Sequence, residues 1–222
     1  MHQPIIKLKQ TLKAKNLQGL ALDIDDTLAD SSDYWVKKTQ EKFGNPENLT
    51  VKQIRQKYRY SYNAPYWNRD DVRQWEKQIR HDDQLHRNFP LIKNANHIVE
   101  KIHQIVPIVT YLTARSKTVL PGTKAWLKQH NFPKVNIIYR PKSTKLPQSL
   151  AWKAEVLEYL YPQIIGIVDD HPQLAKDLSK NYKGTIFLYD YPDQAPRSDI
   201  NIIPCKTWDD VLKEITKLKS TD

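Results

Sequence analysis

Acidic, hydroxyl and basic side chains follow three of the apolar runs in this sequence. The three sets are Asp23 and Asp25, Thr113 and Arg115, and Asp169 and Asp170. A carboxylate can attack phosphorus to form an aspartyl phosphate, and a second carboxylate can protonate the leaving oxygen and then deprotonate water. Hydroxyl and basic groups can hold phosphate oxygens, while carboxylates can bind a divalent cation. The three sets could therefore catalyse phosphoryl transfer if the fold brings them together.

The apolar runs that precede these side chains are typical of buried parallel strands. Six such runs occur, at residues 17–25, 105–112, 135–139, 164–168, 185–189 and 200–203. Helical patterns lie before, between and after them, at residues 5–16, 117–130, 150–160, 172–181 and 207–218. This alternation predicts an α/β fold with an open parallel sheet. Ligands bind such sheets at the carboxyl ends of the strands, where the three sets lie.

One long segment interrupts the alternation. Residues 30–89 contain no strand-like apolar run and are rich in helical patterns and aromatic side chains. We therefore predict an α/β core formed by residues 1–29 and 90–222, with a helical insert at 30–89. Within the insert, residues 60–67 carry aromatic side chains without helical spacing. Such rings could stack on a base or a sugar.

Taken together, the motifs resemble those of the haloacid dehalogenase superfamily of aspartate-nucleophile phosphohydrolases. The matching residues, in chain order, are Asp23, Asp25 and Thr27, then Thr113, then Lys153 or Lys145, then Asp169 and Asp170. The resemblance covers the chain outside residues 30–89, and it implies a Rossmann-like core with a small helical cap after the first catalytic strand. The ending at 169–172 and the small cap look most like the 5′-nucleotidase and deoxyribonucleotidase-like branch.

The resemblance also implies roles for individual residues. Asp23 would be the nucleophile and a Mg²⁺ ligand, and Asp25 would be the acid and base, with its backbone carbonyl as a second ligand. Thr113 and Lys153 would hold the phosphate, with Lys145 as the alternative lysine.

Three further positions complete the expected site. Asp169 is the expected third Mg²⁺ ligand, and its neighbour Asp170 is the alternative. Arg115 is either a substrate contact or a surface salt bridge. Asp26 stands where the family often has glycine, in a turn that tolerates an acid.

The charge balance favours anionic partners. Lys and Arg number 35 against 25 Asp and Glu, which gives a net charge of +10. No acid occurs between Glu100 and Glu155, a stretch that contains ten basic residues. A positive field in this half of the chain would attract anionic substrates to the phosphate site.

Composition also excludes several classes of protein. The single cysteine, Cys205, excludes an internal disulfide framework and a cysteine-ligated zinc site. No run approaches the roughly 18 apolar residues of a membrane helix. Residues 1–10 lack the apolar segment of a signal peptide. We therefore expect a cytoplasmic protein with no membrane partner.

These observations predict a Mg²⁺-dependent phosphomonoester hydrolase that acts on small phosphometabolites such as nucleoside monophosphates. An alternative enzyme is a phosphatase for nucleic-acid ends, which the net charge of +10 suggests. A non-catalytic module that binds RNA through its basic face is the alternative from another class.

Overall fold

A computed structural model describes residues 1–191 and 195–220. Six parallel strands form one sheet, in the order β3-β2-β1-β4-β5-β6. The strands are β1 Gly19–Leu22, β2 Ile108–Ser116, β3 Asn136–Arg140, β4 Ile164–Asp169, β5 Thr185–Tyr189 and β6 Asn201–Cys205. The predicted α/β fold with a parallel, Rossmann-like sheet is confirmed.

Helices cover both faces of the sheet. The core helices are α1 Gln3–Ala14, α6 Ala95–Ile105, α7 Leu120–Gln129, α8 Ser149–Leu160, α9 Pro172–Asp177 and α10 Trp208–Ser220. Side chains of α1, α8 and α9 share one hydrophobic cluster with the sheet, and those of α6, α7 and α10 share another. Every residue of β1 is buried, because the strand lies at the centre of the sheet with helices on both sides.

The polypeptide between β1 and α6 is helical. It contains α2 Ser31–Phe43, α3 Val51–Tyr58, α4 Asp70–Ile79 and α5 Asp83–His86, with short 3-10 turns at Ser61–Asn63 and Pro65–Trp67. A separate hydrophobic cluster lies inside it, formed by Val36, Ile54, Ala64, Trp67 and Val72. We call residues 30–89 the insert.

Two predicted boundaries are wrong at β2. The apolar run at 105–112 was expected to be one strand, but Ile105 ends helix α6 and β2 begins only at Ile108. The strand then continues to Ser116, so that Thr113 lies within it rather than at its end. A short apolar run does not distinguish the end of a buried helix from a buried strand, which explains the error.

No helix among residues 1–191 and 195–220 is long and apolar enough to cross a membrane.

Candidate active site

The strand order brings the three sets of polar residues to one place. Because β1 lies between β2 and β4, the carboxyl ends of these three strands are adjacent. Asp23 continues directly from β1, and its backbone N–H donates to Val168 O of β4 at 2.9 Å. Arg115 lies near the end of β2, and Asp169 is the last residue of β4.

Lys153 of α8 lies inside this group, although a lysine on a helix is usually solvated. Its ammonium is 2.7 Å from Asp23 Oδ1 and 2.9 Å from Asp169 Oδ2, and its side chain is only 2% exposed. Burial disfavours the charged ammonium, but the two carboxylates outweigh that cost and hold the pKa of Lys153 above its usual range. Lys145, the alternative lysine, is exposed before the short 3-10 turn at Leu146–Gln148.

Three carboxylates form a cluster beside this lysine. One oxygen from each of Asp23, Asp169 and Asp170 lies within 4.8 Å of the other two. Burial raises the pKa of Asp23 to about 7, with Lys153 opposing that rise and Asp169 adding to it. Burial and the negative charge of Asp169 likewise raise the pKa of Asp170 well above its usual range. The pKa values are raised because burial and neighbouring negative charges disfavour the ionised form of each carboxyl group.

The cluster has the charge and the ligand type that a hard divalent cation needs. With all three carboxylates ionised, the cluster and the Lys153 ammonium would together carry two negative charges, which a divalent cation would balance. Carboxylate oxygens are the ligands that Mg²⁺ and Ca²⁺ prefer. Both oxygens of Asp169 already accept hydrogen bonds, from Lys153 Nζ and from the His171 N–H, each at 2.9 Å. The carboxylate of Asp170 is therefore the more available of the two.

Arg115 forms a second charged pair beside the cluster. Its Nε donates to Asp25 Oδ2 at 3.0 Å and its Nη2 donates to Asp25 Oδ1 at 2.8 Å. The guanidinium also donates to Thr123 Oγ1 at 3.0 Å and lies 4.9 Å from the centre of the Phe89 ring. Burial raises the pKa of Asp25, but Arg115 outweighs burial and lowers it to about 2. The alternative that Arg115 forms a surface salt bridge is wrong, because its side chain is 2% exposed.

Thr113 is fully buried next to this pair. Its Oγ1 accepts a hydrogen bond from the backbone N–H of Arg115 at 3.2 Å, which orients the hydroxyl within the last part of β2. The structure thus brings Asp23, Asp25, Thr113, Arg115 and Lys153 to the same strand ends, together with the acidic pair at 169–170.

Asp26 has a structural role that sequence reasoning missed. Its backbone adopts φ +55°, the left-handed conformation that glycine adopts most easily. Its carboxylate accepts hydrogen bonds from the Ser32 N–H at 2.7 Å and from Ser31 Oγ at 3.0 Å, at the start of α2. Arg55 of α3 lies 3.8 Å from the same carboxylate. Asp26 therefore ties the insert to the turn that carries Asp25.

The insert contacts the core on both sides of the strand ends. Beyond β4, Tyr60 Oη lies 3.4 Å from His171 Nε2. Beyond β2, His81 Nδ1 lies 3.1 Å from Thr118 Oγ1. The insert consequently bridges the carboxyl end of the sheet above the acidic residues.

A glycine allows the insert to pack closely at the β2 side. The Gly122 N–H of α7 donates to Asp83 Oδ1 of α5 at 2.5 Å. A Cβ at Gly122 would lie 2.2 Å from Asp83 O, closer than atoms can approach. Any larger residue at Gly122 would push α5 away from the sheet.

The aromatic residues at 60–67 separate into two groups. Trp67 is 1% exposed, and its Nε1 donates to Gly44 O at 2.9 Å inside the insert. It packs in the hydrophobic cluster of the insert, so the expectation that it could stack on a substrate is wrong. Tyr62 is 48% exposed and stacks on Tyr60 with ring centres 5.3 Å apart. Tyr66 is half-buried and packs edge-on against Tyr58 and Trp67, so the pair of Tyr60 and Tyr62 is the better candidate stacking surface within that stretch.

His86 lies in the wall of the site, and no sequence motif marked it. Its ring packs edge-on against Trp35 and Phe89, and Phe89 in turn contacts Arg115. Its Nε2 lies 3.1 Å from Arg80 O. Burial, helped by the positive charge of Arg115, lowers the pKa of His86 to about 4, so that the imidazole is neutral.

Comparison with solved structures shows which fold the chain shares. A dehalogenase determined with an intermediate complex has a TM-score of 0.51 and 13% identity, over 91% of this chain and 96% of that chain. A haloacid dehalogenase-like hydrolase from Burkholderia xenovorans LB400 has a TM-score of 0.50 and 14% identity, over 87% of this chain and 96% of that chain. Another dehalogenase has a TM-score of 0.50 and 16% identity, over 91% of this chain and 96% of that chain. The fold is therefore that of haloacid dehalogenase-like hydrolases.

Comparisons of the sequence with known families and proteins give one partial match. The family model for the LNS2 domain of PITM 1-3 matches residues 77–180, which is less than half of the chain. No curated protein sequence matches the chain.

Proposed function

We propose that the protein is a Mg²⁺-dependent phosphomonoester hydrolase of the haloacid dehalogenase type. The observation that carries this proposal is the position of the buried Lys153 ammonium between Asp23 and Asp169, beside Asp170, at the strand ends. A positive group between carboxylates orients the attacking oxygen and can hold a phosphate oxygen. The shared fold supports a hydrolase.

In the first half-reaction, an Asp23 carboxylate oxygen attacks phosphorus, and the bond from phosphorus to the leaving oxygen breaks. Asp25 delivers a proton to that leaving oxygen. In the second half-reaction, Asp25 takes a proton from water, whose oxygen attacks phosphorus and regenerates the Asp23 carboxylate. The products are inorganic phosphate and an alcohol, so that one water is consumed.

Arg115 holds Asp25 ionised in this structure, whereas the first half-reaction needs Asp25 protonated. A substrate phosphate brings negative charge close to both side chains. It competes for the Arg115 guanidinium and raises the proton affinity of Asp25. We therefore assign Arg115 both to substrate binding, as the sequence predicts, and to the orientation of Asp25.

The acidic cluster is the proposed Mg²⁺ site. Asp23 and Asp170 would supply side-chain oxygens, with the backbone carbonyl of Asp25 as a further ligand and Asp169 holding Lys153 in place. When bound, Mg²⁺ supplies positive charge that neutralises the phosphate oxygens. The sequence favours Asp169 as the ligand, but the hydrogen bonds of Asp169 favour Asp170.

The insert supports small substrates. It bridges the strand ends from His171 to Thr118, which restricts access by a folded phosphoprotein. The exposed Tyr62 ring, stacked on Tyr60, could pack against a nucleobase. We therefore propose nucleoside monophosphates as substrates, with the protein in the 5′-nucleotidase-like branch.

Dehalogenation is the competing reaction, because two of the compared structures are dehalogenases. The acidic cluster argues against it. A halide leaving group does not place anionic oxygens beside the nucleophile, and therefore does not need a cation site formed by three carboxylates. The anionic oxygens of a phosphate do need such a cation site.

The test is phosphate release from nucleoside monophosphates, sugar phosphates and p-nitrophenyl phosphate, with Mg²⁺ or with excess chelator. We expect turnover that depends on Mg²⁺ and that favours nucleotides. Asp209→Asn, an exposed acid on α10, serves as the control variant and should keep wild-type rates. Halide release from haloacids without phosphate release would replace this proposal with the competing reaction.

A further inference from the structure

A group of basic side chains lies along one edge of the sheet. Six basic side chains lie on or next to α7 and β3, the terminal strand of the sheet. They are Lys117, Lys124, Lys128, Lys134, Arg140 and Lys142, and we call them the basic edge. Five of them are exposed and Arg140 is half-buried.

The charges of the basic edge are not neutralised by neighbouring acids. None of its six side chains forms an ion pair with a carboxylate in residues 1–191 or 195–220. Near the opposite edge of the sheet, by contrast, Arg197 pairs with Asp199 and Lys217 pairs with Glu214. The positive potential along β3 is therefore available to an anionic ligand.

The basic edge is continuous with the candidate active site. Arg140 Nε donates at 2.9 Å to the carbonyl of Ala114, the residue between Thr113 and Arg115. Lys117 follows β2 directly, in the short 3-10 turn that leads to α7. An anion with several charges could therefore occupy the phosphate site and the basic edge at the same time.

The insert limits the shape of that anion. It contacts the core on both sides of the strand ends, through Tyr60 and His171 and through His81 and Thr118. These contacts leave less room at the strand ends for a double helix or a flat membrane than for a single strand. The exposed ring of Tyr62 offers a stacking surface for a base near the site.

We propose that the basic edge binds the backbone of a single-stranded nucleic acid whose terminal phosphate enters the active site. This inference rests on the proposed phosphatase function and names its substrate class, since a terminal nucleotide presents the same phosphomonoester as a nucleoside monophosphate. The reaction breaks the terminal phosphorus–oxygen bond, consumes one water, and releases inorganic phosphate and a strand that ends in a hydroxyl.

The test uses two sets of lysine substitutions in the full chain. Lys124→Gln, Lys128→Gln and Lys134→Gln together remove charge from the basic edge at a distance from the catalytic residues. Lys180→Gln, Lys206→Gln and Lys213→Gln together are the matched control, because these lysines are equally exposed but lie after β4. Binding of a terminally phosphorylated oligonucleotide of about 12 nucleotides is measured by fluorescence anisotropy in an Asp23→Asn background.

We expect the basic-edge variant to raise the Kd at least about tenfold at low salt, and to reduce the slope of log Kd against log salt by about 2. The control variant should keep both the Kd and the salt slope close to the wild-type values. With Asp23 intact, kcat/KM for the oligonucleotide should fall in the basic-edge variant, while kcat/KM for p-nitrophenyl phosphate should stay at the wild-type value.

Equal losses in both variants, or no loss in either, would overturn the inference while leaving the phosphatase function intact. So would binding to vesicles of phosphatidylglycerol that depends on the basic edge when oligonucleotide binding does not. Absence of phosphate release by the wild-type protein from nucleoside monophosphates, sugar phosphates and p-nitrophenyl phosphate alike would remove the proposed function, and this substrate assignment with it.

Discussion

The guanidinium of Arg115 donates hydrogen bonds to both carboxylate oxygens of Asp25, although the two residues are 90 positions apart in the sequence. Asp25 lies in the segment that follows β1, and Arg115 lies near the end of the adjacent strand β2, so the acid and the group that sets its charge meet at neighbouring strand ends. Thr123 and Phe89 hold the guanidinium from two other directions. These contacts orient Asp25 just beyond the end of β1.

Removing Arg115 should therefore reduce stability as well as activity. Arg115→Ala leaves the carboxylate of Asp25 without its partner, and we expect the free energy of unfolding to fall by about 2 kcal/mol. This value is below that for a fully buried pair, because the Asp25 side chain is 35% exposed. Urea unfolding measures it. Arg73→Ala is the control, since its pair with Asp70 is exposed and should contribute less than about 1 kcal/mol. Equal effects in the two variants would argue against a structural role for the Arg115 pair.

Lys153 and Lys145 can be distinguished by one pair of substitutions. Lys153→Met removes the ammonium between Asp23 and Asp169, and we expect turnover to fall at least about a hundredfold, as for the loss of a transition-state contact. The same variant should melt at a lower temperature without Mg²⁺ and gain more from added Mg²⁺ than the wild type. Lys145→Met should leave both properties unchanged, because Lys145 is exposed. The reverse pattern would make Lys145 the phosphate-binding lysine.

His86 should make the protein sensitive to mild acid. Its pKa is lowered to about 4 in the folded protein, so the unfolded chain binds more protons between that pH and the ordinary value of 6.5. The contribution of His86 to the free energy of unfolding is therefore fully present above pH 6.5 and is lost as the pH falls towards 4. Between pH 7.5 and 5 we expect the loss to be about 2 kcal/mol. Urea unfolding of wild type and His86→Gln at both pH values isolates this loss, and parallel pH profiles would contradict it.

Tyr62 and Trp67 should behave differently although they lie in the same aromatic stretch. Tyr62→Ala removes an exposed stacking ring, and we expect KM for the best nucleotide to rise about five- to a hundredfold, with a smaller effect on p-nitrophenyl phosphate. Trp67→Ala empties the hydrophobic cluster of the insert and should cost about 3–5 kcal/mol of stability instead. Leu218→Ala, another exposed apolar residue, is the control for Tyr62. An unchanged nucleotide KM in Tyr62→Ala would remove the stacking role.

Much of the architecture was predictable because it depends on local patterns. Apolar runs followed by acids marked β1 and β4, and the polar residues at their ends met as the rules for parallel sheets require. The helical pattern at 207–218 corresponds to α10, at whose start the Thr207 N–H donates to Asp210 Oδ2 at 2.9 Å.

What could not be predicted depends on contacts between distant segments. Helix α6 was missed because its apolar end at Ile105 runs into the next strand with only Pro107 to mark the change. The burial of Lys153 and the ion pair between Arg115 and Asp25 form only when the neighbouring strands and α8 pack together. His86 carries no motif at all, since its environment comes from Trp35 and Phe89 on other segments.

The central claim is that Asp23 is the nucleophile of a phosphatase, and the most direct measurement is the rate of phosphate release by Asp23→Asn. The substitution is nearly isosteric, so circular dichroism and the melting temperature should show an intact fold. With Mg²⁺ present, we expect turnover of the best phosphomonoester to fall at least about a thousandfold, because an amide cannot form the covalent intermediate. A contaminant-free Asp23→Asn preparation with activity within tenfold of the wild type would contradict the mechanism.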